Sequence, residues 1–93
     1  AMSLVVFIVE LTGQDYNGIG EHAVGKYIRC IKHIDKPWSW QFTDKVRKAQ
    51  KFEDFSEVHE LLLTQSIQFP MRLDNKPNRP LMAFKTLIKK IDE

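Results

Sequence analysis

The sequence is poor in cysteine and contains no long apolar run. Cys30 is the only cysteine among 93 residues, so an internal disulfide and a multi-cysteine zinc site are both excluded. The apolar run at residues 4–9 is much shorter than the ~20 residues that cross a bilayer. No basic segment precedes this run, as one would in a secretion signal. These absences predict a cytoplasmic protein with no membrane contact.

Glycine is also scarce, and it is concentrated in one place. All four glycines lie within residues 12–25, so we predict a long loop there. A length of 93 residues suffices for one domain, which we assign to residues 1–93. Ala1 precedes Met2, and we expect Ala1 to be a remnant of cloning. The apolar fraction of 43% and the charged fraction of 28% are typical of a folded domain.

Apolar periodicity predicts four strands. Residues 4–11 are rich in β-branched side chains and indicate a buried central strand. Residues 26–34 fit either a strand or a helical stripe; we favour a strand that pairs with residues 38–42 as a hairpin. Residues 67–73 alternate between apolar and polar side chains, and Pro70 places this strand at a sheet edge.

Capping residues predict helices between and after these strands. A short helix is expected to begin at Thr43 or Asp44, and a second one at Asp54. Pro80 favours a last helix, with a strand over residues 84–91 as the alternative. The predicted fold is therefore α+β. It consists of a small mixed or antiparallel sheet of about four strands, with two or three helices packed on one face.

The sequence contains no complete catalytic, metal-binding or cofactor-binding motif. Residues 20–26 match the G-x-x-x-x-G-K spacing of a phosphate-binding loop, but Tyr27 follows where Ser or Thr is required. A strand is also predicted next, whereas such a loop needs a helix. The histidines, which show no metal-ligand spacing, are His22, His33 and His59. Cys30 fits core packing. We therefore predict a protein that is not an enzyme and uses no metal or cofactor.

Charge is segregated along the chain. Residues 26–51 carry eight basic and two acidic side chains, whereas residues 52–68 carry four acidic and no basic ones. Such segregation predicts a dipolar surface that can contact a charged partner. The candidate partner-binding residues are Arg29, Lys32, Lys36, Trp38, Trp40, Lys45, Arg47, Lys48, Lys51, Glu53, Glu57 and Glu60. Bases beside tryptophans also suit nucleic acid, because lysines follow phosphates and indoles stack on bases.

The middle of the chain resembles a recurrent pattern. Residues 27–31, 38–44 and 48–52, followed by Glu57, form a hairpin with an F-T-D helix start and a K-A-x-x-F segment. The pattern is similar to that of small uncharacterised proteins of phages and other bacterial mobile elements. Such proteins include anti-CRISPRs and other inhibitors of host defence, which act stoichiometrically by covering a surface. The resemblance thus implies the cytoplasm of a bacterial host.

These observations favour a non-enzymatic binding protein, an inhibitor of a bacterial defence complex that occludes a protein surface. The alternative is a nucleic-acid-binding module that uses residues 26–51. A protein partner that itself handles nucleic acid would present both basic and acidic surfaces. A homodimer formed through the predicted edge strand at Pro70 is a further expectation.

Overall fold

The computed structural model of the chain describes residues 5–14 and 21–92. Over these residues it contains four strands, one α-helix and four short 3₁₀ segments. The strands are β1 (Val5–Gln14), β2 (Tyr27–Cys30), β3 (Gln41–Thr43) and β4 (Phe84–Asp92). The helix is α1 (Phe55–Leu62), and the 3₁₀ segments are Glu21–Ala23, Pro37–Ser39, Val46–Lys48 and Pro80–Ala83.

The four strands form one antiparallel sheet in the order β3-β2-β1-β4. β1 lies inside the sheet and pairs with β4 from Val5 opposite Asp92 onwards, with a bulge after Leu11. Its side chains are buried on both faces, because Ile8 and Val9 are each 0% exposed and point in opposite directions. The predicted buried central strand at residues 4–11 is therefore confirmed.

The hydrophobic core lies between one face of the sheet and α1. Val58 and Leu62 of α1 are buried in the same cluster as Val9 of β1. Phe52, just before the helix, exchanges two backbone hydrogen bonds with Phe7 of β1, at 2.8 and 2.9 Å. This pairing extends the sheet for one residue and directs the chain across the core.

The predicted helix start at Asp54 is confirmed. The backbone of Asp54 is extended, and its carboxylate accepts a hydrogen bond from the Ser56 amide at 3.1 Å. An acceptor at this position satisfies one of the amides that a helix leaves unpaired at its first turn. α1 then continues for eight residues.

The other two predicted helices are wrong. The Thr43 hydroxyl accepts a hydrogen bond from the Lys45 amide at 3.1 Å, and the chain then forms only the 3₁₀ segment Val46–Lys48. Ala49 is already extended, and the Lys51 ammonium satisfies carbonyls of the segment that a longer helix would have paired internally. The count of two or three helices is thus reduced to one α-helix among the described residues.

The helix favoured after Pro80 is a single 3₁₀ segment followed by β4, so the alternative prediction of a strand is correct. The apolar spacing of residues 84–91 fits both structures. β1 decides between a helix and a strand here. The backbone groups along one edge of β1 need hydrogen-bond partners, and β4 supplies these partners along nearly the whole length of β1.

The predicted hairpin is confirmed, with shorter strands. β2 pairs antiparallel with β3, but Trp38 lies in the 3₁₀ segment Pro37–Ser39 and not in a strand. The loop predicted over residues 12–25 begins later than expected, because β1 continues to Gln14. Residues 15–20 lie outside the described residues. Gly25 has a φ of 88°, a backbone conformation that glycine adopts without steric cost.

The edge strand predicted at residues 67–73 is not present. Only an isolated bridge between Met71 and Pro77 occurs there. The described edges of the sheet are β3 and β4, so a homodimer through a strand at Pro70 loses its structural premise.

Candidate functional site

Residues 66–78 form a narrow hairpin-like excursion from the fold, which we call the arm. The Ser66 amide donates to the Asn78 carbonyl at 2.7 Å, and the Asn78 amide donates to the Pro70 carbonyl at 2.9 Å. Nearer the tip, the Arg72 amide donates to the Lys76 carbonyl at 2.8 Å. Asn75 closes the turn with a φ of 68°, which asparagine tolerates better than most residues. The arm is therefore held in one shape by its own backbone.

Asp35 fastens the arm to the fold. Its carboxylate accepts hydrogen bonds from the Ser66 hydroxyl at 2.5 Å and from the Ile67 and Gln68 amides at 2.8 Å each. The Ser66 hydrogen bond lowers the pKa of the Asp35 carboxyl; desolvation opposes this shift, and the two amides and His33 add to it. The charged form of Asp35 is thus the form that holds the arm.

Serine, histidine and aspartate meet at this point, but they are not connected as a catalytic triad. In a triad the histidine lies between the serine and the carboxylate. Here the Ser66 hydroxyl donates directly to Asp35, and Nδ1 of His33 accepts the Asp35 backbone amide at 3.1 Å. Ser66 is only 3% exposed, and its oxygen also accepts the Phe69 amide. The group has the geometry of a structural anchor.

The arm exposes four apolar side chains. Ile67 is 73% exposed, Phe69 65%, Met71 49% and Leu73 110%. Their alternation is what predicted a strand, but no layer formed by residues 5–14 and 21–92 covers them. Isolated exposed apolar residues are common, whereas a run of them on one ordered segment marks an interaction site.

Trp38 adds an exposed aromatic ring to this surface. Its side chain is 79% exposed, and together with Ile67 it borders a shallow cavity of about 370 Å³. The same cavity is lined by His33, Asp35 and Lys36. We call Trp38, Ile67, Phe69, Met71 and Leu73 the binding face. Sequence reasoning selected Trp38 but missed the arm, since alternation alone does not reveal which side chains remain uncovered.

Trp40 does not belong to the binding face. Its indole nitrogen donates to the His33 carbonyl at 3.0 Å, and the ring packs half-buried against the core. This contact positions the segment that carries Trp38 and Asp35. Of the two tryptophans predicted to meet a partner, the structure leaves only Trp38 prominently exposed.

The predicted basic and acidic residues lie mostly in solvent, on several elements. Lys36 lines the cavity beside Trp38, whereas Lys45, Arg47 and Lys48 are exposed around the 3₁₀ segment Val46–Lys48. Lys51 is half-buried, and its ammonium donates to three main-chain carbonyls. The remaining exposed members of the predicted set are Arg29, Lys32, Glu53, Glu57 and Glu60.

A second, larger cavity lies beside the tip of the arm. This groove of about 760 Å³ runs between the arm and the 3₁₀ segment Pro80–Ala83. Its lining residues are Arg72, Leu73, Lys76, Pro77, Asn78, Arg79, Met82 and Ala83. No sequence motif marks this groove, because its bases are spread over a segment that we predicted as a strand and a loop.

One polar cluster lies across three strands of the sheet. The Lys89 ammonium is 3.3 Å from the Tyr27 hydroxyl and 3.3 Å from a carboxylate oxygen of Glu10. The hydrogen bond to Tyr27, followed by that to Glu10, raises the pKa of Lys89. A lysine that holds its proton more tightly is less suited to act as a base or nucleophile.

Within residues 5–14 and 21–92, no three histidine, cysteine or acidic side chains meet in a way that would hold a metal ion. None of the helices formed by these residues has the length and apolar character needed to cross a bilayer. Comparison of the chain with protein-family models, curated proteins and solved structures found no match.

Proposed function

We propose that this chain is a non-enzymatic binding protein that recognises a protein partner through its binding face. The observation that carries the proposal is an ordered arm whose apolar side chains are turned to solvent. Backbone hydrogen bonds and the Asp35 anchor fix the arm before it meets a partner. A preorganised segment loses little conformational freedom on binding, so more of its contact energy appears as affinity.

Several residues of the binding face must be buried together to hold a partner. Complete burial of an apolar side chain is worth about 1.5–3 kcal/mol, whereas association costs about 4–15 kcal/mol. One arm residue is therefore insufficient, and several must be buried together with Trp38. Tryptophan is among the residues that most often dominate the energy of a protein interface. Trp38 is thus the expected anchor, with the arm beside it.

The resemblance to small phage and mobile-element proteins supplies a setting for this contact. In that setting the chain inhibits a bacterial defence complex by covering a surface that the complex needs. A rigid arm with an apolar tip supports such stoichiometric occlusion, because it requires no chemistry and no cofactor.

A capture experiment with matched variants tests the proposal. The tagged chain is incubated with bacterial lysates, and bound proteins are identified and quantified. We expect one protein at a fixed ratio, lost with the double substitution Trp38→Ala and Phe69→Ser. The control is Val24→Ser, which alters a 38% exposed apolar residue that is not part of the binding face. Capture that is unchanged by the double substitution would contradict the proposal.

Binding of single-stranded nucleic acid is the second candidate function. It is favoured by the exposed indole of Trp38 with Lys36 beside it, since stacking on an aromatic ring contributes about 1–3 kcal/mol per base. Fluorescence anisotropy with a labelled oligonucleotide should then show affinity that falls steeply with salt and drops on Trp38→Ala. No binding at low salt would eliminate this candidate.

A further inference from the structure

The groove beside the arm has a basic rim. Arg72, Lys76 and Arg79 line it, and Asp74, next to the groove, is the one acidic residue in this stretch of the arm. Arg72 forms an ion pair with Asp74 at 3.1 Å, and both side chains are largely exposed. An exposed ion pair of this kind contributes little and is readily exchanged for another carboxylate. The rim therefore presents an excess of positive charge to an incoming ligand.

The groove also has an apolar lining, which we call its floor. It consists of Leu73, Pro77, Met82 and Ala83; Leu73 is 110% exposed and Met82 50%. Methionine adapts its shape to different apolar partners. A ligand that fills this groove must therefore bring apolar atoms for the floor and negative charge for the rim.

We propose that the groove binds an acidic peptide segment that carries an apolar side chain between its carboxylates. Arginine and lysine at the rim pair with the carboxylates, and the apolar side chain enters between Leu73 and Met82. Charge complementarity requires the negative charge of this ligand, and the apolar lining requires the apolar side chain between its carboxylates. The inference rests on the proposed function, and it names the chemistry of the partner surface at the end of the binding face, where Leu73 belongs to both the binding face and the groove.

Two other anionic ligands fit the groove less well. Single-stranded nucleic acid is held by aromatic side chains that stack on its bases, and none of the lining residues is aromatic. A bilayer surface is flat, whereas this groove is concave and lies between the arm and the 3₁₀ segment Pro80–Ala83. An acidic peptide uses both the rim and the floor.

Fluorescence anisotropy with the full chain tests this assignment. The probe is a short fluorescein-labelled peptide of glutamate, aspartate and leucine. We expect saturable binding that weakens as salt rises from about 50 to 200 mM, since the contacts are partly ionic. The double substitution Lys76→Glu and Arg79→Glu should weaken binding at least about tenfold. Met82→Ser should also weaken it, without any change in charge and without altering the binding face.

The control variant is Lys90→Glu, compared with the single substitution Lys76→Glu. It makes the same change in net charge at an exposed lysine that does not line the groove and lies six residues along β4 from Phe84, about 20 Å at ~3.3 Å per residue. Its affinity for the peptide should stay within about threefold of that of the unchanged chain, because exposed charges beyond a Debye length are screened. Equal losses in the groove and control variants would show that only net charge matters and would overturn the proposal.

Three further probes complete the experiment. A peptide with serine in place of leucine should bind more weakly; equal binding would overturn the role of the floor. The second and third probes are an oligonucleotide and vesicles of phosphatidylserine and phosphatidylcholine. If either binds more tightly than the peptide, and this binding is lost in the groove variant, the assignment to a peptide is overturned. Failure of the peptide alone, with Trp38→Ala and Phe69→Ser still abolishing capture, would refute the groove and leave the proposed function standing. Peptide binding that is lost in the groove variant, with capture unchanged by Trp38→Ala and Phe69→Ser, would support the groove and refute the proposed function.

Discussion

The exposed apolar side chains of the arm can be removed without loss of folding stability. Phe69 and Leu73 are 65% and 110% exposed, so their replacement by serine takes almost nothing out of the core. Surface substitutions of this kind usually change the free energy of unfolding by less than about 0.5 kcal/mol. Each side chain, once covered by a partner, would be worth about 1.5–3 kcal/mol, which corresponds to about 10- to 150-fold in Kd.

Urea denaturation and partner binding, measured on the same variants, separate these two effects. Phe69→Ser and Leu73→Ser should keep the midpoint and slope of unfolding while they weaken binding. Val58→Ser is the matched positive control for stability. Val58 is 0% exposed in the core, so this substitution should lower the free energy of unfolding by more than about 2 kcal/mol. A loss of more than about 2 kcal/mol in Phe69→Ser would show that this ring is buried in the fold, and the binding face would then be withdrawn.

Three other predictions concern the anchors of the fold. Asp35→Asn should speed hydrogen exchange of the Ile67 amide, and it should remove a contribution to stability that is present above pH 3.8 and lost as pH falls through the lowered folded pKa of Asp35. A variant with unchanged exchange and acid unfolding would refute the anchor. Lys89→Met should remove a contribution to stability that is present below pH 10.5 and lost as pH rises through the raised folded pKa of Lys89. Alkaline unfolding followed by circular dichroism checks this prediction, and a profile unchanged by the substitution would contradict it. Asp54→Ala should lower the free energy of unfolding by about 0.5–2 kcal/mol in urea, because it removes the helix cap, and no loss would contradict the cap.

Local chemistry made part of the fold predictable. The β-branched run of β1 could only be a buried strand, since few other structures cover both sides of such a segment. Asp54 determined the start of α1 through one side-chain acceptor, and Gly25, with its φ of 88°, lies in the turn before β2 as its residue type predicts. In each case the deciding interaction lies within a few residues along the chain.

Long-range pairing made the rest unpredictable. Residues 84–91 carry a pattern that suits a helix as well as a strand, and the choice depends on β1, more than 70 residues earlier in the chain. The alternation of residues 67–73 was a real feature, but it cannot tell whether another layer covers them. The binding face was partly predictable, because Trp38 was selected on its residue type. The arm that accompanies it depends on the carboxylate of Asp35, whose three partners lie about 30 residues away.

The closed base of the arm has a consequence for how the protein can change. The Ser66–Asn78 hydrogen bond and the Asp35 anchor isolate the tip from the core, so residues 69–77 can vary in sequence while the sheet and α1 stay the same. Recognition and folding are then encoded by separate sets of residues. A library of turn sequences grafted onto this base would yield chains of equal stability that differ only in the partner that they bind.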